Sequence, residues 1–113
     1  MCSKAVLDIV TGKVVEASKE SLGDRLEKVI LYGSYARGDQ HDESDIDVMV
    51  LADIPLEDRW IERVKIRSIL DYIELEYDVL LSLSVMDCAT FKKYLSVEPF
   101  YQNVIRDGVI LSA

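Results

Sequence analysis

Apolar positions recur at helical spacing early in the chain and at strand spacing in its middle. Val6, Val10, Val14 and Ala17 follow at steps of four, four and three, with Leu7 and Ile9 widening the stripe, which predicts a helix over about residues 3–22. Gly12 interrupts it at a cost of about 1 kcal/mol relative to alanine, and Gly23 suits the position just past a helix end. Lys28 to Tyr32 is a short run of β-formers stopped by Gly33 and Ser34, and reads as a buried strand. A second strand fits Asp45 to Leu51, with Ile46, Val48 and Val50 on one face. Beyond Pro55, helical spacing returns through Leu56, Trp60, Val64, Ile69 and Ile73. Glu74 to Leu83 alternates, with Leu75, Tyr77, Val79, Leu81 and Leu83 on one parity, and predicts a third strand carrying Glu74, Glu76 and Asp78 on the other. A helix over about residues 86–95, a turn at Pro99, a short helix or loop and an apolar run at Val109–Leu111 complete the chain. The order predicts an α/β (α+β) fold, a small mixed β-sheet flanked by helices.

At 113 residues the chain is expected to form one domain, residues 1–113. Lys plus Arg is 13 and Asp plus Glu is 21, a net charge of −8 that argues against a protein coating DNA or RNA. No apolar run reaches the roughly 18–20 residues of a membrane helix, and the N-terminus does not resemble a signal peptide. Cys2 and Cys88 have no metal-ligand spacing and are expected to be reduced thiols, which fits a cytoplasmic protein.

The chemistry is concentrated between Leu31 and Asp47. Residues 33–44 form the longest polar stretch and contain two of the five glycines, the composition of a functional loop. Asp45 and Asp47, one residue apart on a strand, leave the same face. Two carboxylates so close repel, and a hard divalent cation with oxygen ligands removes that penalty. A third strand beside them would offer Asp78 or Glu76, which share parity and are not separable from sequence. Gly33 allows close backbone approach to a ligand, amides opening a helical turn favour an anion, and the Ser34 hydroxyl adds a donor. Arg37 is a candidate phosphate partner, with pairing to Asp39 as the alternative. Anion donors followed by metal ligands are what a nucleoside triphosphate with bound magnesium requires.

Gly33-Ser34, ten residues, then Asp45-Ile46-Asp47 resembles the signature of the DNA polymerase beta-like nucleotidyltransferase superfamily. The flanking Leu-Tyr-Gly-Ser-Tyr-Ala-Arg-Gly-Asp and Ser-Asp-Ile-Asp are similar to its minimal nucleotidyltransferases, antitoxins paired with HEPN-domain toxins. The resemblance covers almost the whole chain and implies the polymerase beta-like nucleotidyltransferase fold. It implies two magnesium ions held by Asp45, Asp47 and Asp78, with Asp78 helping to deprotonate the acceptor, and the triphosphate of ATP held by Gly33 and Ser34. It further implies transfer of AMP to a tyrosine of the HEPN toxin, blocking its RNase activity.

Such a short chain has little room for an acceptor site, so a partner, a second copy or the acceptor itself is expected to complete it, as a homo- or hetero-oligomer. An acidic surface suits a basic RNA-handling partner. Two other functions compete: an antitoxin that only masks its partner, and an aminoglycoside-type transferase subunit with a small-molecule acceptor. Intact Gly33, Ser34 and carboxylates argue against the mask. His41 reads as an exposed bystander, Trp60 as core or interface, and Glu57-Asp58 and Glu62-Arg63 as a solvated helix face. Phe91, Tyr94, Phe100 and Tyr101 read as packing of the last helix on the sheet, with an exposed aromatic patch for a partner as the alternative.

Overall fold

The computed structural model describes residues 2–112. Helix α1 (Lys4–Leu22) leads to strand β1 (Leu26–Tyr32), one-turn helix α2 (Ser34–Arg37) and strand β2 (Ile46–Ala52). Helices α3 (Arg59–Ile69) and α4 (Ile73–Tyr77) then cross to strand β3 (Leu81–Asp87). Helices α5 (Cys88–Tyr94) and α6 (Pro99–Asp107) and strand β4 (Val109–Ser112) follow. The sheet order is β3-β2-β1-β4. β1 is antiparallel to both neighbours, whereas β2 and β3 are parallel. A parallel pair needs a long crossover, and α3 with α4 supplies it. The mixed sheet flanked by helices is the architecture expected from the sequence.

Two apolar layers cover the sheet, and the alternation of β2 divides them. Ile46, Val48 and Val50 face one layer with Val10 and Val14 of α1, Ile66 of α3 and Leu81, Leu83 and Val85 of β3. Met49 and Leu51 face the other with Ile30, Phe91 and Val104. Asp47 shares the parity of Met49 and Leu51 and so lies on the α5–α6 side, at the end of the sheet which those helices leave open.

Ser3 caps α1, its hydroxyl accepting from Val6 N at 3.2 Å. Helix α3 buries Glu62 and Ile66, with Leu70 and Ile73 buried beyond its end. The expected apolar stripe is therefore offset. Trp60 is 69% exposed and not in the core, stacked near Arg63 with the guanidinium carbon 5.8 Å from the ring centroid. Glu62 is 2% exposed, not on a solvated face. Its carboxylate accepts from Ser21 Oγ at 2.9 Å and pairs with Arg25 at 3.4 Å and Lys65 at 3.5 Å. That locks α3 to the C-terminal end of α1, because a buried carboxylate requires such partners. Of the C-terminal aromatics, Phe91 is buried in the second layer and Tyr101 packs against it, while Tyr94 and Phe100 are more than two-fifths exposed. Among the described residues, no helix is long and apolar enough to cross a membrane.

Candidate active site at the open end of the sheet

The chain leaves β1 through Gly33, whose φ of 73° and ψ of −156° fall where side chains are rarely tolerated. Gly33 O accepts from Ala36 N and Arg37 N, both at 3.1 Å, so the residue is the N-cap of α2. Ser34 O accepts from Gly38 N and Asp39 N at 2.9 and 3.1 Å, and Gly38, with φ 82°, ends the turn. The first amides of such a turn have no acceptor within it. The glycine is also demanded from outside, since a Cβ on it would collide with Asp47 Oδ2 and lie 3.1 Å from Asp47 Cγ. Residues fourteen positions apart in sequence are thus in contact, and the turn that opens α2 lies directly against a carboxylate.

Asp47 is half-buried, paired across β1 with Tyr32 and across β3 with Ser82. In-register neighbours in a sheet point to one face, so Tyr32, Asp47 and Ser82 stand side by side. Tyr32 Oη reaches Ser84 Oγ at 3.5 Å, and Phe100 packs edge-on to the Tyr32 ring at 5.7 Å between centroids. Asp45, just before β2, is exposed. Burial pushes the Asp47 carboxyl above the usual range, and the negative charge of Asp45 adds to the rise; the Ser82 hydroxyl and Arg37 oppose it. Arg37 itself pairs with Asp39, Nε to Oδ2 at 3.2 Å, on the exposed side of the turn. His41 is exposed, its Nδ1 accepting from Glu43 N at 3.2 Å.

Asp78 is placed differently from the sequence expectation. Residues 73–77 form helix α4, not the start of a strand, and Asp78 is its C-cap with φ 53° and ψ 52°. The reason is local. Glu74 binds the backbone forward, Oε2 accepting from Leu81 N at 3.0 Å, while Oε1 holds Arg67 at 2.7 Å. That closes a helical turn before β3 begins opposite Ile46. Asp78 lines a cavity of about 890 Å³ with Tyr35, Asp42, Glu43, Leu75 and Leu80. Tyr35 and Val79 of this cavity pack on the α1–α3 layer, so it opens on the other side of the sheet from Asp47. No group of three or more His, Cys, Asp or Glu side chains among the described residues is arranged to hold a metal. Asp78 thus stands apart from Asp45 and Asp47, with which the resemblance groups it, and those two acids form a pair at this end of the sheet. Glu76, the alternative third acid, lies on α4 as well. Two acids that repel each other, set beside the turn that opens α2, still fit magnesium, which takes one or two carboxylates and fills its shell with water and phosphate oxygens.

The model of the nucleotidyltransferase domain family matches residues 12–110. The chain belongs to that family. A relative in Methanocaldococcus jannaschii, provisionally named a protein adenylyltransferase, is 32% identical over 97 residues, covering 86% of this chain and 89% of that one. The protein adenylyltransferase MntA of Shewanella oneidensis is 38% identical over 61 residues, 52% of this chain and 43% of MntA. Among solved structures, a toxin–antitoxin with AMP-PNP superimposes with a TM-score of 0.57 at 26% identity, over 91% of this chain and 73% of that one. The fold and the recognition of a minimal nucleotidyltransferase agree with the expectation from Gly33-Ser34 and Asp45-Ile46-Asp47.

In this nucleotidyltransferase the strand beside β2 presents Ser82 and Ser84, not acids, on the face of Asp47. Sequence reasoning overlooked both. Their signal was present as the alternation Leu81-Ser82-Leu83-Ser84-Val85, which marks a strand with one polar face. The register that brings Ser82 to Asp47 has no sequence signature.

Proposed function

We propose that this nucleotidyltransferase, with magnesium, transfers AMP from ATP to a tyrosine hydroxyl of a partner HEPN-domain RNase and so acts in the cytoplasm as its antitoxin. The observation that supports the reading is the contact of Gly33 with Asp47, which sets the turn proposed to hold phosphate against the carboxylate proposed to hold metal. The names of the relatives and the toxin–antitoxin with AMP-PNP support a protein acceptor and an adenine nucleotide.

In this reading the α2 turn, with Gly33 and Ser34, grips the β- and γ-phosphates, and Arg37 swings from Asp39 toward them. Asp45 and Asp47 hold magnesium. When bound, magnesium neutralises the triphosphate and stabilises the charge that develops on the leaving group. The tyrosine oxygen bonds to the α-phosphorus as the bond from that phosphorus to the bridging oxygen breaks. The bond electrons leave with pyrophosphate, and the tyrosine proton passes to the water that Asp45 faces. This chain contributes position and charge and forms no covalent intermediate. The net charge of −8 favours encounter with a basic RNA-handling protein.

The test is a mass spectrum of the co-encoded partner after incubation with this protein, ATP and magnesium. A gain of one or more AMP units on tyrosine is expected. An unmodified partner that is nonetheless neutralised would leave only the masking function.

A further inference from the structure

Across the β2–β3 ladder the residue in register with Asp47 is Ser82, and the next on that face is Ser84. β3 therefore gives the site hydroxyls. Asp45 and Asp47 are the acids at this end of the sheet face, and no group of three potential ligands stands among the described residues. Asp47 is confined on its remaining sides: Gly33 abuts its carboxylate, and Tyr32 is its partner across β1. A carboxylate held on three sides has its lone pairs aimed by its neighbours; Ser82 offers it a hydroxyl, whereas the Tyr32 hydroxyl lies 3.5 Å from Ser84 Oγ.

We propose that Ser82 is a positioning residue that orients Asp47 toward the metal, and that this two-carboxylate site loads its divalent cation only together with a nucleoside triphosphate. The inference rests on the magnesium-dependent reading above. Magnesium-like ions dehydrate reluctantly and complete their shell with substrate phosphates when the protein offers one or two carboxylates. A hydroxyl in register with Asp47 adds orientation without adding charge, and partners that orient metal ligands typically set about tenfold or more of the affinity. Tyr32 braces the same face, its Oη 3.5 Å from Ser84 Oγ.

The experiment measures Mn2+ binding by electron paramagnetic resonance on the full chain, with and without AMP-PNP, for wild type, Ser82→Ala, Ser82→Thr and Ser82→Asp. Wild type is expected to stay unloaded without nucleotide at Mn2+ concentrations that saturate it with AMP-PNP. Ser82→Ala should weaken binding of Mn2+·AMP-PNP about tenfold, and Ser82→Thr, which keeps the hydroxyl, should restore it to within about twofold of wild type. Ser82→Asp supplies a third acid and should load Mn2+ without nucleotide. Wild-type loading that is independent of nucleotide, an unchanged affinity in Ser82→Ala, or a folded Ser82→Asp that gains no nucleotide-free Mn2+ overturns the proposal. Should Ser82→Asp fail to fold, the wild-type, alanine and threonine proteins decide the matter. Absence of transfer to a partner tyrosine with these binding results intact would remove the function proposed above and leave this inference standing.

Discussion

Gly33 and Asp47 are in such close contact that a methyl group on the first would displace the carboxylate of the second. The positive φ of Gly33 adds backbone strain to any substitution. Gly33→Ala should therefore cost about 1–3 kcal/mol of stability and remove AMP-PNP binding, read by urea unfolding and titration calorimetry. Gly38 is the control. Its φ is also positive, at 82°, but nothing lies within 4 Å of a Cβ there. Gly38→Ala should lose about 1 kcal/mol and keep its nucleotide.

The acids separate the two sides of the sheet. Asp45→Asn and Asp47→Asn should each reduce label transfer from ATP by at least about a hundredfold, since the metal loses half its protein charge. Asp78→Asn, on the opposite side, should keep transfer within about twofold, as exposed substitutions away from a site usually do. Radiolabel on the acceptor, with circular dichroism to verify folding, checks all three.

Ser34→Ala should weaken AMP-PNP binding by about 1–3 kcal/mol, the usual worth of a hydrogen bond to a charged group. Calorimetry measures it directly, and unchanged affinity would count against the turn as a phosphate cradle.

The expected elements match the structure best where a signal is local. α1, β1, the Gly33 turn and β2 lie within about two residues of their expected bounds, because each has its own periodicity and a glycine or proline at its border. Residues 74–83 depart from the expected strand because an alternating run of five apolar residues also fits a turn of helix followed by a strand. What decides between them is Glu74 holding Leu81 N and Arg67 seven residues away on either side, a tertiary arrangement. Glu62 departs from the expected solvated face for a similar reason, as its burial depends on Ser21 at the end of α1 and Arg25 just beyond it, not on any pattern in α3. Asp45 and Asp47 were legible from spacing; Ser82 depends on a parallel register and was not.

Acid should loosen the turn between α4 and β3. The hydrogen bond from Leu81 N, then the bond to Arg67, hold the Glu74 carboxyl below its usual range. A carboxylate lowered by folding stabilises fully above the ordinary glutamate range and loses that contribution as pH falls through its folded value. Glu74→Gln should cost about 1–3 kcal/mol at neutral pH, with the gap to wild type narrowing in acid. Urea midpoints from neutral pH into the acid range would show it.

Glu62→Ala should destabilise by about 1–3 kcal/mol by removing three partners and opening a cavity. The cost stays below that of a fully buried ion pair because the Arg25 and Lys65 side chains are 44% and 55% exposed and rehydrate. Chemical denaturation is the check.

The most direct measurement of the central claim is paramagnetic broadening of backbone amides by Mn2+·AMP-PNP in solution. Broadening should centre on Gly33, Ser34 and residues 45–47, and extend to Ser82 and Ser84. Broadening centred instead on residues 74–80, around the cavity behind the sheet, would contradict the site described here.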